Sequence, residues 1–356
     1  MFEQIKGQDK PIQLLKSCLR NGRLTGAYLF SGPEGTGKYS AAMILAQAVN
    51  CPDSADDACG RCASCVKIAG YSHPDVFVIN MSVYFDPVNG RAVPPPQHRD
   101  AGEDNHRGKK EAVQGRDIKI DYIRALRDGI NMRPYEGRKK VFIINDAHTL
   151  TRDAQDAFLK PLEEAVPDSL IILISDKPSL LAKTIISRCR TLKFGALRRD
   201  ELENILSKEH SLEGPGVAHY FAYFSEGRMG YAARLAGKKS AFTEKNRVID
   251  EFTGPAGLRE SAFINRLEKA GREEILETIK ILAAWFRDVY VLKAGAGRQE
   301  IINLDRKEDL ERCASAYSFE ELEGKLRCLS DSVFYLEHNL NVKLLLSTIR
   351  MELWKN

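Results

Sequence analysis

The chain has 356 residues, 43% of them hydrophobic and 29% charged, with a formal net charge of +4. That length accommodates two or three domains of ordinary globular composition. The mild positive balance permits nucleic-acid contact without demanding it, and no apolar run reaches the ~18 residues a membrane span needs.

The opening Met1-Phe-Glu-Gln-Ile lacks a basic segment followed by an apolar one. No secretory leader is expected, and a cytoplasmic protein with no membrane association is. Residues 8–22 carry Ile12, Leu15 and Leu19 at helical spacing, with Gly22 as a stop. An apolar strand, Ala27 to Ser31, then enters the turn Gly32-Pro-Glu-Gly35-Thr36-Gly37-Lys38, and a helix runs from Lys38 to about Val49. Strand, glycine turn and helix in that order form a phosphate-binding loop. Glycines let successive N–H groups turn inward around an anion, and the helix start adds its positive dipole end. Gly32, Gly35, Thr36, Gly37, Lys38, Tyr39 and Ser40 are therefore the candidate nucleotide-binding residues. Lys38 is expected to reach the terminal phosphates of ATP or ADP.

The loop has one departure. The position after its lysine ordinarily carries Ser or Thr, whose hydroxyl holds Mg²⁺. Here it is Tyr39. Ser40 sits one residue later, about 100° further round the helix. Phosphate binding is compatible with this change; magnesium placement is compromised by it.

Of eight cysteines, Cys51, Cys59, Cys62 and Cys65 are crowded into one short segment. Four thiolates at this spacing suit a closed tetrahedral zinc site, structural because no coordination position stays open. Free thiols and a disulfide are the plain alternatives. An iron–sulfur cluster is another, although the following x3-Cys of the ferredoxin run is missing.

Asp75-Val-Phe-Val-Ile-Asn80 forms the next buried strand. From about 81 to 115 the chain is polar, unperiodic and rich in Pro and Gly, including Pro94-Pro95-Pro96, and is expected to be an inserted loop. His98 and His106 within it are expected to be solvated. Ile118, Ile123, Leu126 and Ile130 mark a helix. Val141-Phe-Ile-Ile144 is a third strand, residues 151–165 a helix, and Leu170 to Ser175 a fourth strand. Leu180 to Ser187 is a short helix, and Thr191 to Phe194 a fifth strand. Short apolar strands alternating with helices imply a five-stranded parallel sheet covered on both faces, with the phosphate loop at the carboxyl end of a strand.

Beyond Phe194 only helices are expected. Residues 198–237 read as short helices broken at Gly214, Gly216 and Gly227. The stripe Ile275, Ile279, Leu282, Trp285, Phe286, Val289 and a second, Leu340, Leu344, Leu345, Ile349, suit a helical bundle.

A series of motifs then carries a family resemblance. They are Ile5-x-Gly7-Gln8, the phosphate loop, the four-cysteine insert, His73-Pro74-Asp75, Phe158-Leu-Lys-Pro-Leu-Glu-Glu164, Ser187-Arg188-Cys189 and Asn339-Leu-Asn341-x-Lys343-Leu344. Together they resemble the bacterial DNA polymerase III clamp-loader subunits of the AAA+ class, over nearly the whole chain. The resemblance implies an α/β P-loop AAA+ core with a zinc insert over 1–195 (zinc module 51–65). A small helical lid over 196–240 and an all-α oligomerising collar over 241–356 would follow.

Within that family the hydrolytic residues resemble the delta-prime branch more than the gamma/tau motors. A motor strand would end in Asp-Glu; here Asn145 and Asp146 stand, a degenerate pair. Asn145 lacks the full negative charge, and Asp146 is one methylene shorter than Glu, about 1.5 Å. A one-residue slip that makes Asp146 the Mg²⁺ ligand leaves Ala147 to activate water. Motors also carry an arginine at the position that aligns with Gly230, and Arg228 is out of register.

The resemblance makes Arg188 an arginine finger that reaches a neighbour's ATP in trans, with no catalytic residue in cis. A structural arginine between helix and strand is the plainer reading. The implied partners are the gamma/tau and delta clamp-loader subunits, the sliding clamp and primed DNA. Two other readings remain at this point: an active gamma/tau-type ATPase, and a zinc-dependent nucleic-acid adaptor with a vestigial nucleotide site. The adaptor needs basic or aromatic residues at the cysteine cluster. Arg61 and Lys67 qualify, and Asp53, Asp56 and Asp57 oppose them.

Overall fold

A computed structural model describes residues 1–53, 56–79, 84–86, 91–93, 117–164, 167–209, 212, 216–237, 240–254, 259–295, 297, 300–338 and 341–354. The described chain forms two compact units, 1–197 with 228–230, and 198–227 with 231–356.

The first unit is built on a sheet of five parallel strands: β1 (Ala27–Ser31), β2 (Val76–Ile79), β5 (Lys140–Ile144), β6 (Ser169–Ser175) and β7 (Arg190–Lys193). Their spatial order is β2-β5-β6-β1-β7. The expected parallel sheet is present, with strand ends shifted by a residue or so. β1 lies inside the sheet, with Leu29 opposite Leu173 on one side and Thr191 on the other.

Alternate residues feed two cores. Tyr28, Phe30, Ile143, Ile172 and Ile174 point to one; Ala27, Leu29, Phe142, Ile144, Ile171 and Leu173 point to the other. This period of two with both faces buried explains why the strands read as continuous apolar runs. Helices α1 (Asp9–Arg20), α2 (Lys38–Asn50) and α3 (Ala63–Ala69) contribute to the first core; α4 (Ile120–Ile130), α5 (Arg152–Glu163) and α6 (Lys183–Ile186) contribute to the second.

Three expectations need correction. Ile118 does not open α4; it forms a parallel bridge with Leu150 before the helix begins. The 81–115 stretch is not all loop, because β3 (Tyr84–Asp86) and β4 (Arg91–Val93) pair as an antiparallel hairpin. The rest of that stretch, with Pro94–Pro96, His98 and His106, lies outside the described residues. The last helix turns a different face inward, as described below.

The described secondary structure of the second unit is all helical: α7 (Arg199–Glu209), α8 (Val217–Phe224), most of α9 (Met229–Gly237), α10 (Ser240–Thr253), α11 (Arg259–Lys269), α12 (Arg272–Lys293), α13 (Lys307–Ala316), α14 (Phe319–Glu337) and α15 (Val342–Leu353). The α12 stripe is buried as expected, with Trp285 and Phe286 fully enclosed. On α15 the buried residues are Leu345, Leu346, Ile349 and Leu353, while Leu344 is 64% exposed. At about 100° per residue the four buried side chains fall within one arc of about 100°, and Leu344 lies outside it, about 140° from Ile349; Leu340 lies outside the described residues. Helix α14 starts at a capping box: Ser318 Oγ accepts from Glu321 N (3.2 Å), and Glu321 Oε2 accepts from Ser318 N (2.7 Å). Among the described residues no helix is long and apolar enough to cross a membrane.

Asp75 fastens the first unit where β2 begins. Its buried carboxylate accepts N–H groups from Tyr135 (2.7 Å), Glu136 (2.8 Å) and Gly137 (2.7 Å), just ahead of β5. Burial alone would raise its pKa, but these three donors outweigh it and hold the group below the usual aspartate range. A depressed folded pKa adds stability above the unfolded pKa and loses it as pH falls through the folded one. Asp75→Asn is therefore expected to destabilise the first unit by roughly 2–4 kcal/mol at neutral pH. Urea unfolding from pH 7 down to 3 should show the parent losing this advantage over the variant; a gap that stays constant with pH would contradict the assignment.

Candidate functional site

The carboxyl ends of β1, β5 and β6 bring the candidate residues together. Gly32 leaves β1 with φ +146°, and its N–H donates to the Ser175 carbonyl at 3.2 Å. On the other side its backbone lies against Phe194, the residue that follows β7. A Cβ placed on Gly32 would fall 1.9 Å from the Phe194 carbonyl oxygen. Gly35 (φ +76°) and Gly37 (φ +88°) complete the turn, with Gly37 as the left-handed N-cap of α2. Thr36 Oγ1 donates to the Pro33 carbonyl at 2.8 Å.

Lys38 is almost fully buried. Its Nζ donates to the carbonyls of Gly32 (2.6 Å) and Pro33 (2.5 Å). Burial lowers its pKa, while the carboxylates of Asp176, Asp146 and Glu34 pull it back up. Tyr39 turns from the loop, and its hydroxyl donates to the Tyr71 hydroxyl at 3.0 Å. Burial and that contact raise its pKa. Ser40 is exposed on α2.

At the end of β5, Asn145 N–H continues the sheet to Ile79 O (2.8 Å), and its amide Nδ2 donates to Asp146 Oδ2 at 3.0 Å. Asp146 sits in the left-handed region at φ +52°. Burial raises its pKa; Asp176 and Glu34 raise it further, whereas His148 and Lys38 lower it. His148 Nδ1 is 3.2 Å from Asp176 Oδ1, and Asp146, His148 and Asp176 can bring one ligand atom each within 4.8 Å of the others. The sequence reasoning passed over His148 and Asp176. Their signal was positional: both follow the carboxyl ends of parallel strands, where such sheets gather ligand-facing groups.

The segment 228–230 packs with the first unit. Gly230 N–H donates to Gly35 O at 2.8 Å, and a Cβ there would lie 3.1 Å from that oxygen. A side chain at Gly230 would press on the phosphate loop.

The four cysteines also converge, their sulfurs all within 4.8 Å of one another. Cys59 Sγ lies 4.0 Å from Cys65 Sγ. A ZnS₄ tetrahedron with bonds of about 2.3 Å has an edge of about 3.8 Å, so the set has the right size for one ion. N–H groups of Cys62 and Cys65 point at the sulfurs of Cys59 (3.3 Å) and Cys62 (3.4 Å). N–H donation from Arg61 and Cys62 lowers the Cys59 thiol to about 7, while burial pushes Cys65 up. These four residues could hold a metal ion. Lys67, one of the two bases near the cluster, is paired with Glu136 at 2.8 Å.

Arg188 lies apart from the loop, at the end of α6. Its Nε donates to Glu163 Oε1 at 2.9 Å, a second guanidinium nitrogen donates to the same oxygen, and the third reaches the Thr184 carbonyl at 3.0 Å. Burial pushes the neighbouring Cys189 thiol up to about 12.

A parallel α/β sheet with a glycine loop and buried lysine at the end of an inner strand, followed by a helical unit, defines a P-loop protein. The chain belongs to the clamp-loader family described as DNA polymerase III, delta subunit, whose profile matches residues 7–198, with the corresponding C-terminal profile matching 240–352.

It is 31% identical over 202 residues to the DNA polymerase III subunit delta' of Bacillus subtilis, covering 57% of this chain and 52% of that one. It is 28% identical over 324 residues to the subunit tau of the same organism, covering 85% and 52%. The chain thus spans about half the length of the curated relatives it matches. Among solved structures, a gamma subunit-related protein of Thermotoga maritima aligns at 15% identity and a TM-score of 0.41, covering 97% of this chain and 98% of that one.

Gly32→Ala combines an unfavourable φ with a backbone collision, and is expected to cost roughly 2–5 kcal/mol. Denaturant unfolding of the variant measures it; stability within about 1 kcal/mol of the parent would mean that the loop is not seated against Phe194 as described.

Proposed function

We propose that this chain is a delta-prime-like clamp-loader subunit that does not turn over ATP and donates Arg188 in trans to a neighbouring motor subunit. Residues 1–195 act as an AAA+ core, 196–240 as its lid and 241–356 as the collar that oligomerises. The loop Gly32–Ser40 holds ATP or ADP by its backbone and Lys38. In the cytoplasm the subunit works with gamma/tau and delta partners to open or hold the sliding clamp at primed DNA.

The observation that carries this reading is the end of β5. Asn145 and Asp146 hydrogen-bond to each other, and no glutamate stands there to polarise a water. Two features agree with it. Tyr39 puts a ring bonded to Tyr71 where a magnesium-binding hydroxyl would be needed. Gly230 places a backbone N–H, not a guanidinium, at the loop.

The second reading, an active gamma/tau-type motor, draws support from the match to a tau subunit across 85% of the chain. One comparison separates the two. The purified chain is expected to show no ATP turnover that Lys38→Ala removes. Arg188→Ala is expected to slow ATP turnover in a reconstituted loader at least about tenfold without disassembling it, a floor set below the roughly 10³–10⁵ that an arginine finger contributes in GTPases. Robust Lys38-dependent hydrolysis by the chain alone would favour the motor, and unchanged turnover by the Arg188 variant would remove the finger.

Zinc is the ion we assign to Cys51, Cys59, Cys62 and Cys65, and its part is structural. Sulfur-only ligation within this spacing supports that choice. The purified protein is expected to contain about one zinc per chain, and a strong chelator should lower its melting temperature. A metal-free preparation that melts at the same temperature would count against a structural ion. The pairing of Lys67 with Glu136 argues against an adaptor that grips nucleic acid through this cluster.

A further inference from the structure

Arg188 is already engaged inside its own chain. One oxygen of Glu163 takes two of its guanidinium nitrogens, and the Thr184 carbonyl takes the third. The side chain therefore spans from α6 back to the last residue of α5. Glu163 occupies a costly place for a carboxylate, the carboxyl end of a helix, where the dipole repels negative charge. Its neighbour Glu164 shows that the pairing is selective: it lies 3.8 Å from Lys160, one turn back on the same helix.

Both partners keep solvent access, Arg188 at 35% and Glu163 at 53%. Such a pair contributes little stability, so it can be exchanged. A terminal phosphate offers more charge and three acceptor oxygens to the same planar donor set.

Resting on the trans-finger assignment above, we infer that Glu163 is a positioning residue that holds Arg188 in cis and releases it to the phosphate of a nucleoside triphosphate on the adjoining subunit. The carboxylate thus stands in for the absent phosphate. It keeps the guanidinium extended near the chain surface and neutralised until a charged nucleotide takes its place. Release costs apparent affinity in proportion to the fraction of arginine that is held. Once the phosphate is engaged, Glu163 no longer takes part, so the chemical step is not its concern.

The test uses the full reconstituted loader with clamp, primed DNA and ATP. Glu163→Gln keeps the shape and removes the competing charge. It is expected to lower KM for ATP about two- to fivefold, the range set by a solvent-accessible pair, and to leave kcat within about twofold. Glu163→Asp should restore a KM near the parent's. In an Arg188→Ala background, Glu163→Gln should change nothing, because the two residues act as one pair. An unchanged KM in the single variant, or the same shift without Arg188, would overturn the latch while leaving the finger intact. If Arg188→Ala itself leaves turnover unaltered, the finger assignment fails first and the latch with it.

Discussion

The phosphate loop depends on one backbone contact, Gly32 against Phe194. Phe194 N–H donates to Ser31 O at 2.8 Å, and Gly32 N–H donates to Ser175 O at 3.2 Å. The loop is thus clasped between the strands on either side of β1 before it turns. No side chain fits at Gly32, so the backbone itself comes to the carboxyl edge of the sheet. Burial of β1 between β6 and β7 gives that clasp its stiffness. Leu29 and Phe30, both fully buried, contribute roughly 1.5–3 kcal/mol each, and the other three β1 residues are buried with them.

The loop is surrounded by charged groups of both signs. Lys38 is drawn inward to two carbonyls of its own loop and faced by the charges of Asp146, Asp176 and Glu34. Asp146 is half spent on Asn145, and burial with nearby carboxylates works against its ionisation. A group meant to order a metal or a water needs a free, correctly aimed oxygen. On the proposed function, chemistry passes between subunits instead: this chain would hold nucleotide in its own loop and lend Arg188 to a neighbour.

The cysteine cluster is tied to the same helix as the loop. Gln47 on α2 donates to the Cys65 carbonyl at 2.8 Å, and Tyr39 at the start of α2 meets Tyr71 just past α3. Through that contact Tyr39 joins the phosphate-loop helix to the segment that follows the cysteine module.

The sequence alone determined the glycine loop, the apolar strands, the four-cysteine spacing and the helical second half. These are local signals: chain order, period and spacing are written along the backbone. It also puts Tyr39 and Asn145 at positions where the family resemblance expects a hydroxyl and a carboxylate. It was silent on His148 and Asp176, which lie 28 positions apart and meet only because β5 and β6 are neighbours in the sheet. It misjudged the inward face of α15, because consecutive leucines point round the helix and only packing settles that Leu345 and Leu346 turn inward and Leu344 outward. Above all, it could not reveal that Arg188 is held by Glu163, 25 residues away. Pairing of charges across helices is decided by where the helices end in space, and that is a property of the tertiary structure.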